Sequence, residues 1–138
     1  MTGVQTCALP ISGKAEAAIK AAENHDLVYV HVEAIDECGH MGDVNLKMRA
    51  ISDFENKIVA PVMRALEGKG YTFAVLPDHP VPVKIRKHTR TPVPVAICGP
   101  HIKPDSVMSY SERIAPQGSL GYMKGEEFMR KVLNLPAK

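Results

Sequence analysis

A chain of 138 residues, 45% hydrophobic and 23% charged, has the size and balance of one soluble globular domain or of a piece of a larger one. A net charge of +2, 5% aromatic residues and no Trp leave neither a polybasic face nor a stacking platform, so nucleic acid is not the expected partner. No apolar run approaches the roughly 20 residues of a membrane-spanning helix, and three cysteines without CxxC spacing (Cys7, Cys38, Cys98) argue for reduced thiols in the cytoplasm.

Met1 to Ser12, MTGVQTCALPIS, has neither the basic start nor the apolar middle of a signal peptide. It shares no helical or strand period with the residues after it. The string resembles translated sequencing-adapter sequence, with a disordered natural leader as the alternative, and the genuine domain is expected over residues 13–138. Gly13 to Asn24, rich in Ala, Lys and Glu, predicts a helix. Leu27 to Val32, LVYVHV, is a β-branched run typical of a buried strand. Glu33 to Gly42 reads as a loop leaving its carboxyl end.

Asp43 is a good N-cap for a long helix. Val44, Met48, Ile51, Phe54, Ile58, Val62 and Leu66 recur at steps of three or four and predict one buried stripe. Pro61 should kink or split this helix, and Gly68 and Gly70 supply its stop. Thr72 to Leu76 and Val93 to Cys98 predict two further strands, Asp105 to Gly121 an irregular segment, and Gly125 to Leu135 a final amphipathic helix. Short all-apolar strands interleaved with helices indicate an α/β layer structure without an internal repeat.

Three groups of potential ligands flank the expected strands: Asp36 with His40, Asp78 with His79, and His88. In open α/β sheets ligand sites form outside the carboxyl ends of strands. Carboxylate plus imidazole suits Zn²⁺ or Mn²⁺ better than an all-oxygen cage would. An Asp and a His four residues apart face the same way if the chain between them makes one helical turn. Singly, each has a plain reading: Asp78-His79 a turn, His40 a surface loop residue, His88 part of a basic solvated face. Together they shift the balance to a metal site. Phosphate loops, dinucleotide fingerprints, serine elbows and HExxH are all absent.

HVEAIDECGHMGD (His31 to Asp43) resembles the HVEAPDExGHxGD signature of the archaeal-type cofactor-independent phosphoglycerate mutases. LPDHPVP (Leu76 to Pro82) is similar to that family's LPDHPTP, and KHTRTPVPVAICG (Lys87 to Gly99) to its H-T-x-x-PVP stretch. These enzymes belong to the alkaline phosphatase superfamily, and the resemblance runs from about Gly13 to the end. It implies an alkaline phosphatase-like three-layer fold, represented by its carboxyl-terminal half. It also implies two divalent metal ions (Mn, Zn or Mg): Asp36, His40 and His88 on one, Asp78 and His79 on the other, with an Asp and a Ser from earlier in a full-length chain. That Ser is the family's nucleophile. It interconverts 2- and 3-phosphoglycerate through a phosphoserine, without bisphosphoglycerate.

Ile35 and Val81 replace a proline and a threonine of the pattern, next to the site but not as ligands. No residue ahead of His31 offers the missing Asp and Ser, so the chain alone is expected to be inactive. Cys38 lies between two ligands without being one in the family. His31 and Glu33 are open to an orienting role, and His31 equally to a place in the core. Arg86 is a candidate for substrate phosphate or carboxylate, and Lys87 and Arg90 for that or for a solvated loop. The competing readings are another metal-dependent phosphatase, phosphonate hydrolase or sulfatase of the superfamily, or a non-catalytic metal-binding domain.

Overall fold

The computed structural model describes residues 11–136, so Met1 to Pro10 of the expected tail lie outside the described residues. Their contacts divide the chain into two compact units. One runs up to Glu67 and includes Val81–Thr89; the other comprises Gly68–Pro80 and the chain from Arg90 onward.

In the first unit, helix α1 spans Ile11–Ala22, starting two residues ahead of the expected Gly13. Ala15, Ala18 and Ala22 recur at helical spacing and are buried. They face the middle and end of the long helical segment later in the unit. Lys14 is buried as well, its ammonium donating to the backbone carbonyl of His31 at 2.8 Å. That bond supplies the partner a buried cation requires.

Leu27 to Val32 differs from the expected buried strand. It joins no ladder among the described residues, and Leu27 and Tyr29 are exposed. Burial still alternates along Leu27 to Val30, and Tyr29 stacks on His31, two positions on, with ring centroids 6.1 Å apart. This is the period of an extended strand. A strand needs neighbours on its edges to be buried, and propensity alone does not provide them. His31 is half-exposed and 3.9 Å from the Glu33 carboxylate, so it is not a core histidine.

The expected loop at Glu33 to Gly42 is instead a helix, α2, over Ala34–Met41. Asp36 and Glu37 lie in its first turn, where carboxylates complement the helix dipole. Gly42 closes it in the left-handed conformation (φ 77°), its N–H bonded to the carbonyls of Cys38 and Gly39. Asp43 then caps α3 (Val44–Phe54), its carboxylate accepting from the Leu46 N–H at 2.9 Å.

The proline effect is visible as a widened turn. Between α3 and α4 (Ala60–Ala65), residues Glu55–Val59 form a π-helical turn, and the Ala60 N–H reaches five residues back to the Glu55 carbonyl. Pro61 has no N–H to continue an α ladder, and the wider turn accommodates it. Of the expected buried stripe, Ile58 and Leu66 are buried, whereas Val44, Met48 and Ile51 are exposed. The period is that of an amphipathic helix, but its first half stays largely exposed among the described residues.

The second unit holds a two-stranded antiparallel ladder, β1 (Phe73–Val75) and β2 (Ala96–Cys98), with Ala74 opposite Ile97. β1 is the middle of the expected strand Thr72 to Leu76, and β2 the carboxyl end of the expected Val93 to Cys98. Tyr110 ties this region together, its hydroxyl donating to the Pro94 carbonyl at 2.9 Å and lying 3.4 Å from that of Val75. Asp105 organises the irregular segment by accepting from the N–H groups of Val107 and Ser119. Ala115–Gln117 adds one 3₁₀ turn. Helix α5 (Gly125–Val132) is closed by Glu127, which accepts from the Lys124 N–H at 2.6 Å. No described helix is long and apolar enough to cross a membrane.

Candidate metal centre

Helix α2 places Asp36 and His40 one turn apart on one face. The Asp36 Oδ2 and His40 Nε2 atoms are 3.3 Å apart. His88 arrives from the segment Val81–Thr89 of the same unit, its Nε2 3.1 Å from His40 Nε2 and 3.7 Å from Asp36 Oδ1. One ligand atom from each residue lies within 4.8 Å of the others.

The spacing fits a metal site. Four-coordinate Zn²⁺ with bonds of about 2.0–2.1 Å has ligand–ligand edges of about 3.3 Å in a tetrahedron. The His40–His88 and His40–Asp36 separations of 3.1 and 3.3 Å match that edge, and one atom from each of the three residues lies within 4.8 Å of the others. Two imidazoles and a carboxylate are the donor set that borderline-soft divalent ions prefer. Three protein ligands on one ion would leave a fourth position for water or substrate. The three side chains are between 31% and 55% exposed, so the cluster is open to solvent.

Close packing fixes this geometry. Gly39 sits between the two helical ligands, and a Cβ there would come within 2.7 Å of the Val81 carbonyl oxygen and 2.8 Å of its Cγ1. Glycine therefore lets the chain that carries His88 lie against α2. Lys47 of α3 holds the same carbonyl through its ammonium at 2.7 Å. Cys38 is buried with a free thiol and is not one of the three clustered ligands. Val81 stands next to the site as the motif implies, whereas Gly39 and Lys47 are parts of it that the motif reading leaves out. The one sequence signal is the small residue between two ligands.

Asp78 and His79, in the second unit, come three and four positions after Val75, the last residue of β1. Their side chains meet each other, His79 Nε2 lying 3.3 Å from Asp78 Oδ2, and the His79 N–H donates to Asp78 Oδ1 at 2.9 Å. Arg86 is exposed beside the first cluster, its guanidinium lying over Gly42.

Most of the chain is similar to known proteins. It is 45% identical over 120 residues to the 2,3-bisphosphoglycerate-independent phosphoglycerate mutase of Methanosarcina acetivorans, covering 85% of this chain and 30% of that protein. It is 42% identical over 124 residues to the enzyme of the same name from Methanothrix thermoacetophila, covering 88% and 32%. The chain thus spans about a third of the length of these curated relatives. The solved structure of the PH0037 protein from Pyrococcus horikoshii superposes with a TM-score of 0.85 at 25% identity, covering 94% of this chain and 40% of that one. The expected α/β, alkaline phosphatase-like fold is therefore the one present. With the Metalloenzyme superfamily model matching residues 9–135, nearly its full length, the chain belongs to that superfamily.

Proposed function

We propose that the chain is the carboxyl-terminal, metal-binding part of a 2,3-bisphosphoglycerate-independent phosphoglycerate mutase, whose parent interconverts 2- and 3-phosphoglycerate in cytoplasmic glycolysis and gluconeogenesis. The observation that carries this is the gathering of Asp36, His40 and His88 around one point, in a chain 45% identical to a protein of that name.

In this reading Asp36, His40 and His88 hold one divalent ion (Mn, Zn or Mg). Asp78 and His79 hold a second, together with an Asp and a Ser elsewhere in a longer parent. Such ions supply positive charge for the phosphoryl oxygens and favour ionisation of the attacking hydroxyl. The chain's own residues position and neutralise: the three imidazoles and the two carboxylates fix the cations, and the Arg86 guanidinium meets the substrate's phosphate or carboxylate. The parent's Ser accepts the phosphoryl group from one hydroxyl of phosphoglycerate and returns it to the other, so no bisphosphoglycerate is needed. Without that Ser, residues 1–138 bind metal but do not turn over.

The parent, given 3-phosphoglycerate and metal but no bisphosphoglycerate, is expected to produce the 2-isomer, read by phosphorus NMR. His88→Ala in the parent should abolish it. A parent that hydrolyses simple phosphate or sulfate esters yet never isomerises phosphoglycerate belongs to another branch of the superfamily. An isolated chain that binds metal, with no catalytic parent, is a non-catalytic binding domain.

A further inference from the structure

Lys103 and Lys131, far apart in sequence, line one cleft in the second unit together with Ile102, Pro104, Ser119 and Leu120. Its volume is about 360 Å³, within the range of small-molecule sites. None of the proposed metal ligands lines it.

Hydrogen bonds hold the walls in place. His101 Nε2 lies 2.9 Å from the Lys131 backbone carbonyl, which ties the stretch before Ile102 to α5. The Ile102 N–H donates to the Gly99 carbonyl at 3.0 Å, just beyond β2. Across the cleft, the Asp105 carboxylate accepts from the Ser119 N–H at 2.7 Å and the Val107 N–H at 2.9 Å. A ligand would meet walls already ordered, which lowers the entropic cost of binding.

The positive charge here lacks a counter-charge. On α5, Glu126 pairs with Arg130 at 3.2 Å, and Glu127 accepts from the Lys124 N–H. Asp105 is engaged by its two backbone donors. Among the described residues, neither Lys103 nor Lys131 has an ion pair. Two ammonium groups beside the apolar Ile102, Pro104 and Leu120 suit an anion that carries an apolar body. A phosphate monoester bears about 1.5 to 2 negative charges at pH 7, on three terminal oxygens. Those oxygens match two ammonium groups and the Ser119 hydroxyl, whereas a carboxylate brings one charge and two oxygens.

We infer that this cleft binds a small organic phosphate through Lys103, Lys131 and Ser119. The inference is independent of the proposed metal centre and of the mutase reading.

Phenyl phosphate titrated into the full chain, with EDTA present to remove metal, tests it by proton–nitrogen correlation NMR. Saturable shifts are expected at the N–H groups of Ile102, Lys103, Ser119, Leu120 and Lys131. Lys103→Gln and Lys131→Gln should each weaken binding about 10-fold, the worth of one charge-assisted hydrogen bond. Lys131→Arg should keep most of the affinity. Lys69→Gln, the same charge change at an exposed turn, should leave it unaltered. Inorganic phosphate, with no apolar body, should bind about 10-fold more weakly. Shifts that never saturate, or that saturate around Arg86 instead, overturn the inference. So do equal affinities for the two phosphates, or wild-type affinity in both Gln variants.

Discussion

The Nε2 atoms of His40 and His88, 48 positions apart in sequence, stand 3.1 Å from each other, and each lies within 3.7 Å of an Asp36 carboxylate oxygen. Two imidazole nitrogens facing one another at that distance need positive charge or a shared proton between them, since two bare lone pairs repel. The proposed divalent cation would meet all three groups at once.

Removing one of the three is the direct measure of that arrangement. His88→Ala is expected to weaken Zn²⁺ or Mn²⁺ binding by at least ~100-fold, beyond the 10- to 100-fold typical of losing an outer partner. Calorimetric titration of the isolated chain reads this, and unchanged affinity would remove His88 from the site.

Gly39→Ala tests the close approach of α2 to the His88 segment. The new methyl would meet the Val81 carbonyl at 2.7 Å and the Lys47 ammonium at 3.0 Å, so backbone must give way. A loss of about 1–3 kcal/mol is expected in urea unfolding, accompanied by weaker metal binding as His88 moves off. Full stability with full affinity would show that the two elements are not tightly coupled.

Tyr110 gives the second unit an alkaline limit. Removal of its hydroxyl from water, reinforced by the negative charge of Glu112, pushes its pKa up from 10.0 to about 12. The folded state thus holds the neutral phenol while the unfolded chain ionises. The contribution is complete below pH 10 and is lost as pH rises toward 12. Tyr110→Phe should cost about 1 kcal/mol at pH 8, the worth of a single hydrogen bond. Its gap from the wild type should shrink above pH 10. An ultraviolet titration with all four tyrosines ionising near their ordinary value would contradict this.

Asp105 behaves in the opposite sense. The N–H groups of Ser119 and Val107, at 2.7 and 2.9 Å, stabilise its carboxylate and hold its pKa below 3.8. Its contribution is present at neutral pH and is lost as pH falls through the depressed value. Asp105→Asn should therefore lower the urea midpoint at pH 7 but not in strong acid. Carboxyl carbon NMR should place the Asp105 midpoint under 3.8 in the folded chain.

Much of this molecule is legible in its residues. A run rich in Ala, Lys and Glu predicts α1, Asp43 announces α3, Pro61 marks the disturbed turn, and two short apolar runs contain β1 and β2. The pairing of Asp36 with His40 comes from their four-residue interval once a helical turn is assumed. These are local properties, set by backbone sterics and side-chain period within a few residues. Tertiary structure decided the rest. Glycines in Glu33 to Gly42 suggest a loop because their role, close approach at Gly39 and a left-handed cap at Gly42, depends on what packs against them. Leu27 and Tyr29, like Val44, Met48 and Ile51, have the right period but remain exposed, since a period says which side is apolar and not whether anything covers it. The place of His88 beside His40 arises only when distant segments meet, because packing and hydrogen bonds across 48 positions leave no mark on local sequence.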